Sequence, residues 1–426
     1  MNYLVFPCSP VILYNEFMSL PRARLSQSIS RLFQLLFELL SPGNKQDLIS
    51  DFESRFAKKF GSEDSIAVCK ARTAFSLILK HLEIPKNSEV MISALHIADF
   101  VNIIRLNGHT PVVVDLKEND LLIDLEDAES KRNGKTKVLL VTPLSGFPQD
   151  MASLQSWCEL HDILLIEDFS QGFSTFFENQ RAGSFGYASL CSLSLLKSVC
   201  TLQGGMILSK DSRLLERIRE DIEDWSGESR FLLITQVIKF LILAFATHPL
   251  LFPLITYPFL RLLQKGSAWF TNFQKQNKTV ILRSEMPRAY LRKMSWQQAK
   301  LGLEELENFD SRENTRIERG LKLYKALKDM DKIQLPSILE GGKSGFWLFP
   351  ILTKNRVELQ RSFLLEGIDC SEMLLSHLPG EIEFQSLGFS ASKASITRES
   401  VLFIPMYPSL SEEELEFIIS KVRKIQ

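Results

Sequence analysis

The chain has no dominant charge: 50 Lys and Arg stand against 51 Asp and Glu, a formal net charge of −1 over 426 residues. That balance gives no bulk electrostatic basis for binding nucleic acid. Cysteine is scarce as well. Cys8, Cys69, Cys158, Cys191, Cys200 and Cys370 form no CxxC pair, and several lie in apolar runs. They read as reduced core thiols of a cytoplasmic protein, not as a disulfide frame or a zinc site. The six histidines are scattered, so no metal centre is expected. The start, "MNYLVFPCSPV", lacks a basic region, a long apolar core and a small-residue cleavage site, so no signal peptide is predicted there.

What is present is globular: 45% hydrophobic and 24% charged, enough chain for a large core or two domains. From about 48 to 210, short apolar runs alternate with helix-like segments. "SIAVC" precedes "TAFSLILKHL", "EVMIS" precedes "ADFVNIIRL", and "TPVVVDL", "KVLLVTPL", "ILLIED", "ASLCSLS" and "GGMILS" follow in turn. Near-continuous apolar strands separated by helices predict an α/β fold with a mainly parallel sheet covered on both faces. A charged helix, "SRLLERIREDIEDW", closes this part. Further on, "SWQQAKLGLEELENFDSRENTRIERGLKLYKAL" has apolar residues at helical spacing and a charged polar face. A smaller α+β region follows, with "SGFWLFPILT" as a strand, "VELQRSFLLEGIDC" as a helix ended by Gly367, and a closing helix headed by Ser411 and an acidic first turn.

Between these parts the chain changes character. From Phe240 to Leu260 there is no charged residue, a length that meets the threshold for a membrane span. Pro249, Pro253 and Pro258 oppose one straight helix, because each removes an amide hydrogen bond and bends the chain. Lys239, Arg261 and Lys265 flank the stretch, as suits headgroup level. Three readings stay open for 231–263: a buried hairpin or oligomer contact, a broken insertion lying on a membrane surface, and a full span.

The most informative stretch is "LLIEDFSQGF", from Leu164 to Phe173, with "CSLSLLKSVCTLQGGMILS" after it. An apolar strand ends in two carboxylates, and Lys197 is the only charge between Arg181 and Lys210. A carboxylate at the end of a buried parallel strand sits at the edge where α/β proteins bind ligands. Burying it is costly unless a cation or donor meets it, and a pyridinium nitrogen is such a group. Pyridoxal phosphate needs that acidic partner to act as an electron sink. Lys197 would supply the amine for a Schiff base with the cofactor aldehyde, its apolar surroundings favouring the neutral form. Ser192 and Ser194 offer hydroxyls suited to a phosphate, and Gly204 and Gly205 let backbone pass close to a ring. Taken singly, such an Asp is usually a turn or cap and such a Lys usually reaches solvent; their order along the chain is what points to chemistry.

The run "IEDFSQGF … AGSFGYASLCSLSLLKSVCTLQGGMIL" resembles the DegT–StrS family of sugar aminotransferases, fold type I pyridoxal-phosphate enzymes. That family shows an acidic pair, a Gln three residues after the Asp, a Gly-rich turn, a Ser five residues before the Schiff-base Lys, and two closing glycines. Here these fall on Glu167-Asp168, Gln171, Gly183 to Gly186, Ser192, Lys197 and Gly204-Gly205. "FESRFAKKFGSEDSIAVCKARTAFSLILKHL" and "NSEVMISALHIADFVNIIRLNGHTPVVVDL" extend the likeness, which covers roughly 48–215 and 290–426.

The resemblance implies Lys197 as Schiff-base lysine and general acid/base, and Asp168 as the partner of the pyridine nitrogen. It puts Gln171 near the phenolic oxygen, Ser192 on the phosphate, Arg72 and Thr73 at the phosphate turn, and His96 against the ring. The pattern along the chain divides it into 1–47 (N-terminal segment), 48–225 (large cofactor-binding domain), 226–285 (apolar insertion) and 286–426 (linking helix and small domain). The expected protein is a homodimeric aminotransferase in the cytoplasm, peripheral on the inner membrane if the insertion meets lipid. It would move an amino group, with glutamate as donor, to a nucleotide-linked keto-sugar used for surface polysaccharide. A lipid-linked acceptor and a non-catalytic protein on the same fold are the alternatives. Family members in which His replaces the Lys are dehydratases, and Lys197 counts against that. Departures gather on the substrate side: Leu202 and Gln203 stand before the glycines, and "AYLRKMS" lacks the Asn that reaches the partner's cofactor. His377 is a loose candidate for the sugar pocket.

Overall fold

The computed structural model of the protein describes residues 18–41, 45–265 and 280–424; Cys8 and the reading of the first residues lie outside them. Seven of the apolar runs form one sheet: β1 (Ser65–Val68), β2 (Glu89–Ser93), β3 (Thr110–Val114), β4 (Thr136–Val141), β5 (Leu164–Asp168), β6 (Ala188–Ser192) and β7 (Gly205–Ser209). Their order is β1-β7-β6-β5-β4-β2-β3. Strand β7 runs antiparallel to both neighbours, β1 and β6, and the remaining pairings are parallel. The strands are buried nearly end to end, which is why they read as continuous apolar runs without alternation. Helices Ala71–His81 and Asp99–Leu106 cover one face, locked by stacked rings of Phe75 and Phe100 at 4.8 Å.

Because β2, β4, β5 and β6 point the same way, Ser93, Val141, Asp168 and Ser192 end on one edge. Strand β7 begins on that edge at Gly205, where helix Ala71–His81 also starts. A smaller antiparallel sheet, β8 (Phe349–Leu352), β9 (Ser371–Glu372) and β10 (Val401–Ile404), carries helices Arg356–Leu365 and Glu412–Arg423. Ser411 caps the last helix, accepting from Glu414 N at 3.1 Å while its own N–H donates to the Glu414 carboxylate at 2.8 Å.

Two elements differ from expectation. The long amphipathic helix is two helices, Trp296–Glu307 and Phe309–Leu327, separated where Asn308 leaves helical torsions at φ −99° and ψ 5°. The expected strand over "SGFWLFPILT" is confined to β8. Phe346 sits at φ 45° with its ring against Gly320, turning the chain just before the strand.

The uncharged stretch is likewise broken. Helix Arg230–Ala246 stops before Pro249, Pro253 lies in a wide turn at Phe252–Thr256, and helix Tyr257–Lys265 has Pro258 in its first turn. No helix among the described residues is long and apolar enough to cross a membrane. Leu233, Val237 and Phe240 pack on Leu32, Leu35 and Leu39 of helix Ile29–Leu40.

Candidate active site

The two carboxylates ending β5 have separate work. Glu167 is buried, and its oxygens accept from the backbone N–H groups of Gly183, Phe185 and Gly186 at 2.7, 2.7 and 2.8 Å. Burial pushes its carboxyl up, opposed by those three hydrogen bonds. Glu167 therefore builds the Gly-rich turn, whose Gly183, at φ 94°, leaves no room for a Cβ above the Phe169 ring. Asp168 faces the other way. One oxygen accepts from Ser170 N at 2.9 Å, and the other lies 4.0 Å from His96 Nε2.

His96 is 3% exposed and stands in a two-residue strand paired with Ser376–His377 of the C-terminal part. Its Nε2 lies 3.4 Å from the Thr142 hydroxyl, and its buried Nδ1 has no hydrogen-bond partner. Burial lowers its pKa, with the Asp168 charge acting against that. His377 itself is tied to the Ala391 carbonyl at 2.9 Å.

Lys197 follows a tight turn after β6 in which Leu196 holds φ 64°, a region a non-glycine residue occupies only under constraint. Its ammonium lies 3.7 Å from the centre of the Trp347 ring, and Trp347 Nε1 donates to the Leu196 carbonyl at 2.8 Å. Burial brings the amine down to about 8, with Asp168 and then Cys191 pulling the other way. The net result favours a nucleophilic amine near neutral pH.

Around these groups, the hydroxyls of Ser192 and Ser194 face each other at 2.9 Å. Gln171 accepts from Ser145 N at 2.8 Å through Oε1, so its amide nitrogen is the remaining donor. Thr73 donates its hydroxyl proton to the Tyr290 carbonyl at 2.7 Å and is 1% exposed. Arg72 Nε lies 3.5 Å from Asp99, which also takes Arg283 at 2.8 Å and the Tyr290 hydroxyl. The structure thus gathers His96, Asp168 and Lys197, with Ser192 on the adjoining strand, and turns Arg72 and Thr73 toward Tyr290. A Cβ on Gly205 would meet the Lys70 carbonyl carbon at 2.4 Å and Ala71 N at 2.5 Å, so this glycine admits the start of the helix.

Trp347 was not legible in the sequence; it comes from a turn 151 positions past Leu196, and nothing local marks it.

The set fits pyridoxal phosphate. An amine with a lowered pKa, a buried carboxylate with one open oxygen, a buried imidazole beside it and a pair of facing hydroxyls suit an aldehyde, a pyridine nitrogen, a ring face and a phosphate.

Comparison with known proteins agrees. A family model described as the DegT/DnrJ/EryC1/StrS aminotransferase family matches residues 40–423. The chain is 24% identical over 396 residues to the spore coat polysaccharide biosynthesis protein SpsC of Bacillus subtilis, covering 91% of this chain and 90% of that one. It is 29% identical over 174 residues to GDP-perosamine synthase of Escherichia coli O157:H7, covering 41% and 48%. Among solved structures, AtS13 from Actinomadura melliaura matches with a TM-score of 0.74 at 18% identity, over 96% of this chain and 99% of that one. At such identity the likeness concerns the fold.

Proposed function

The chain belongs to the DegT/DnrJ/EryC1/StrS aminotransferase family, and from that premise we propose that it aminates a nucleotide-linked keto-sugar, with glutamate as donor, for a surface polysaccharide. The enzyme is a pyridoxal-phosphate-dependent aminotransferase. Relatives named for spore coat polysaccharide and GDP-perosamine support the sugar and its use.

The observation that carries the reading is the Lys197 amine, held by burial near neutrality on the sheet edge where Asp168 and His96 meet. Bound there, pyridoxal phosphate supplies an electron sink at the carbon that gains or loses nitrogen. Lys197 would bind the aldehyde through Nζ and, as the free amine, move a proton there. Asp168 would keep the pyridine nitrogen protonated, His96 would lie against the ring, and the Gln171 amide nitrogen would be the donor for the phenolic oxygen. Ser192 and Ser194, with the amides opening helix Ala71–His81, bind the phosphate. Arg72, 3.5 Å from Asp99 through Nε, would add a cation beside that phosphate. The test is transfer of 15N from labelled glutamate to nucleotide-linked keto-sugars, with Lys197→Ala as control. Nitrogen that stays on glutamate across a panel of such sugars removes the proposed acceptor. We also propose that the enzyme is a homodimer, as the family resemblance implies. Sedimentation at micromolar concentration tests it.

A second reading is favoured by the surface: the enzyme works against an anionic bilayer. Helices Ile29–Leu40 and Arg230–Ala246 pack on each other and leave Phe37 71%, Phe231 77% and Ile242 64% exposed, and Leu254 beyond them is 75% exposed. From Ser229 to Leu262 the charges are Arg230, Lys239 and Arg261, with no carboxylate, the pattern of an apolar face sunk among acidic headgroups. Co-sedimentation with phosphatidylglycerol vesicles checks it. Binding lost in a Phe37→Ser, Phe231→Ser, Leu254→Ser variant supports the reading; protein that stays in the supernatant, or a dimer that buries this face, refutes it.

A further inference from the structure

Helix Phe309–Leu327 carries two opposite charges one turn apart that never reach water: Glu313 is 2% and Arg316 4% exposed. An ion pair at that spacing normally lies on a solvated face, and burying both partners costs so much desolvation that a well-packed apolar pair serves stability as well or better. What these two side chains touch gives the pair another reason to be there.

Glu313 Oε2 accepts from Ser174 Oγ at 2.6 Å, from Ser198 Oγ at 3.0 Å and from the Arg316 guanidinium. Arg316 Nε donates to the Gly345 carbonyl at 2.9 Å, and its Nη2 to Ser198 Oγ at 3.2 Å. Ser174 continues the turn that carries Gln171. Ser198 follows Lys197 directly. Gly345 lies two residues before Trp347, whose ring sits 3.7 Å from the Lys197 ammonium. One buried pair thus joins three segments, which bear Gln171, Lys197 and Trp347. Leu196, at φ 64°, lies between Trp347 and Ser198 as the strained residue such fixed ends would hold in place.

We propose that Glu313 and Arg316 are positioning residues, clamping the Ser198 hydroxyl and the Gly345 carbonyl so that the Lys197 amine stays packed under Trp347 and shielded from water. The inference rests on Lys197 being the cofactor-bearing lysine.

The test uses the full-length enzyme with Glu313→Gln and Arg316→Met together, which removes both charges and nearly keeps the volume. Two readings are taken. The titration midpoint of Lys197 is measured in cofactor-stripped protein by competitive acetylation and peptide mass spectrometry. The kcat and KM for the amino donor are measured in loaded protein. With the clamp gone, water enters and the midpoint should climb from about 8 toward the ordinary lysine value of 10.5. The kcat should fall about ten- to a hundredfold with KM little changed. A folded double variant with both readings unmoved overturns the proposal. If that variant does not fold, Ser198→Ala decides, since it cuts the clamp from the lysine turn and leaves the ion pair intact: a raised midpoint supports the clamp and an unmoved one overturns it. Borohydride fixation on unaltered enzyme separates the two ideas, because failure to mark Lys197 there refutes the function assigned to Lys197, whereas failure in the variant alone bears on the clamp.

Discussion

Raising the pH through about 8 should switch Lys197 from ammonium to free amine, because burial holds its midpoint there instead of at the 10.5 of an ordinary lysine. The difference corresponds to about 3 kcal/mol between the two protonation states. At pH 7 it leaves about a tenth of the population as free amine, against about three in ten thousand for an exposed lysine, a roughly three-hundredfold gain in nucleophile. Competitive acetylation of cofactor-stripped protein over a pH series, read peptide by peptide, measures that midpoint against the exposed lysines as internal references. Asp168 acts against burial by favouring the charged amine. Asp168→Asn should therefore move the midpoint lower still. Linkage sets the companion sign. Because the folded state binds this proton less tightly than the unfolded chain, Lys197 costs stability below about pH 8, and the cost is relieved between there and 10.5. A midpoint for Lys197 indistinguishable from those of the exposed lysines, or a rise on Asp168→Asn, would show that burial does not govern the amine.

Gly205→Ala should destabilise the protein by about 2 kcal/mol, because its Cβ would meet the Lys70–Ala71 backbone at 2.4 to 2.5 Å; thermal melting measures the loss, and an unchanged melting temperature contradicts it. Glu167→Leu strips the acceptor from three buried amides and should cost at least about 3 kcal/mol in urea unfolding; Glu167→Gln, which keeps one acceptor oxygen, should lose less.

The parallel sheet was legible because strands buried on both faces leave unbroken apolar runs, and seven of those runs became its strands. Asp168 and Lys197 were legible because charge is rare on such strands and in the turns that follow them. Other features were not, each for its own reason. Trp347 reaches Lys197 across 150 positions through a turn set by the left-handed torsion at Phe346, and one aromatic in an apolar run carries no mark of its partner. Glu313 and Arg316 belong to a helix whose charges read as a solvated face. Helical spacing says which residues share a side, but not which charges find partners beneath it. The acidic pair at 167 and 168 shows the same limit, since alternation along the strand sends Glu167 into the Gly-rich turn and Asp168 toward His96, and only the fold shows which does which.

The proposed chemistry requires a covalent link between the cofactor and one lysine. Borohydride reduction of the cofactor-loaded enzyme, followed by digestion and mass spectrometry, tests it most directly. The peptide containing Lys197 should carry the reduced pyridoxyl-phosphate adduct, absent from the Lys197→Ala variant. An adduct on a different lysine, or a Lys197 peptide recovered unmodified from fully loaded enzyme, would contradict it.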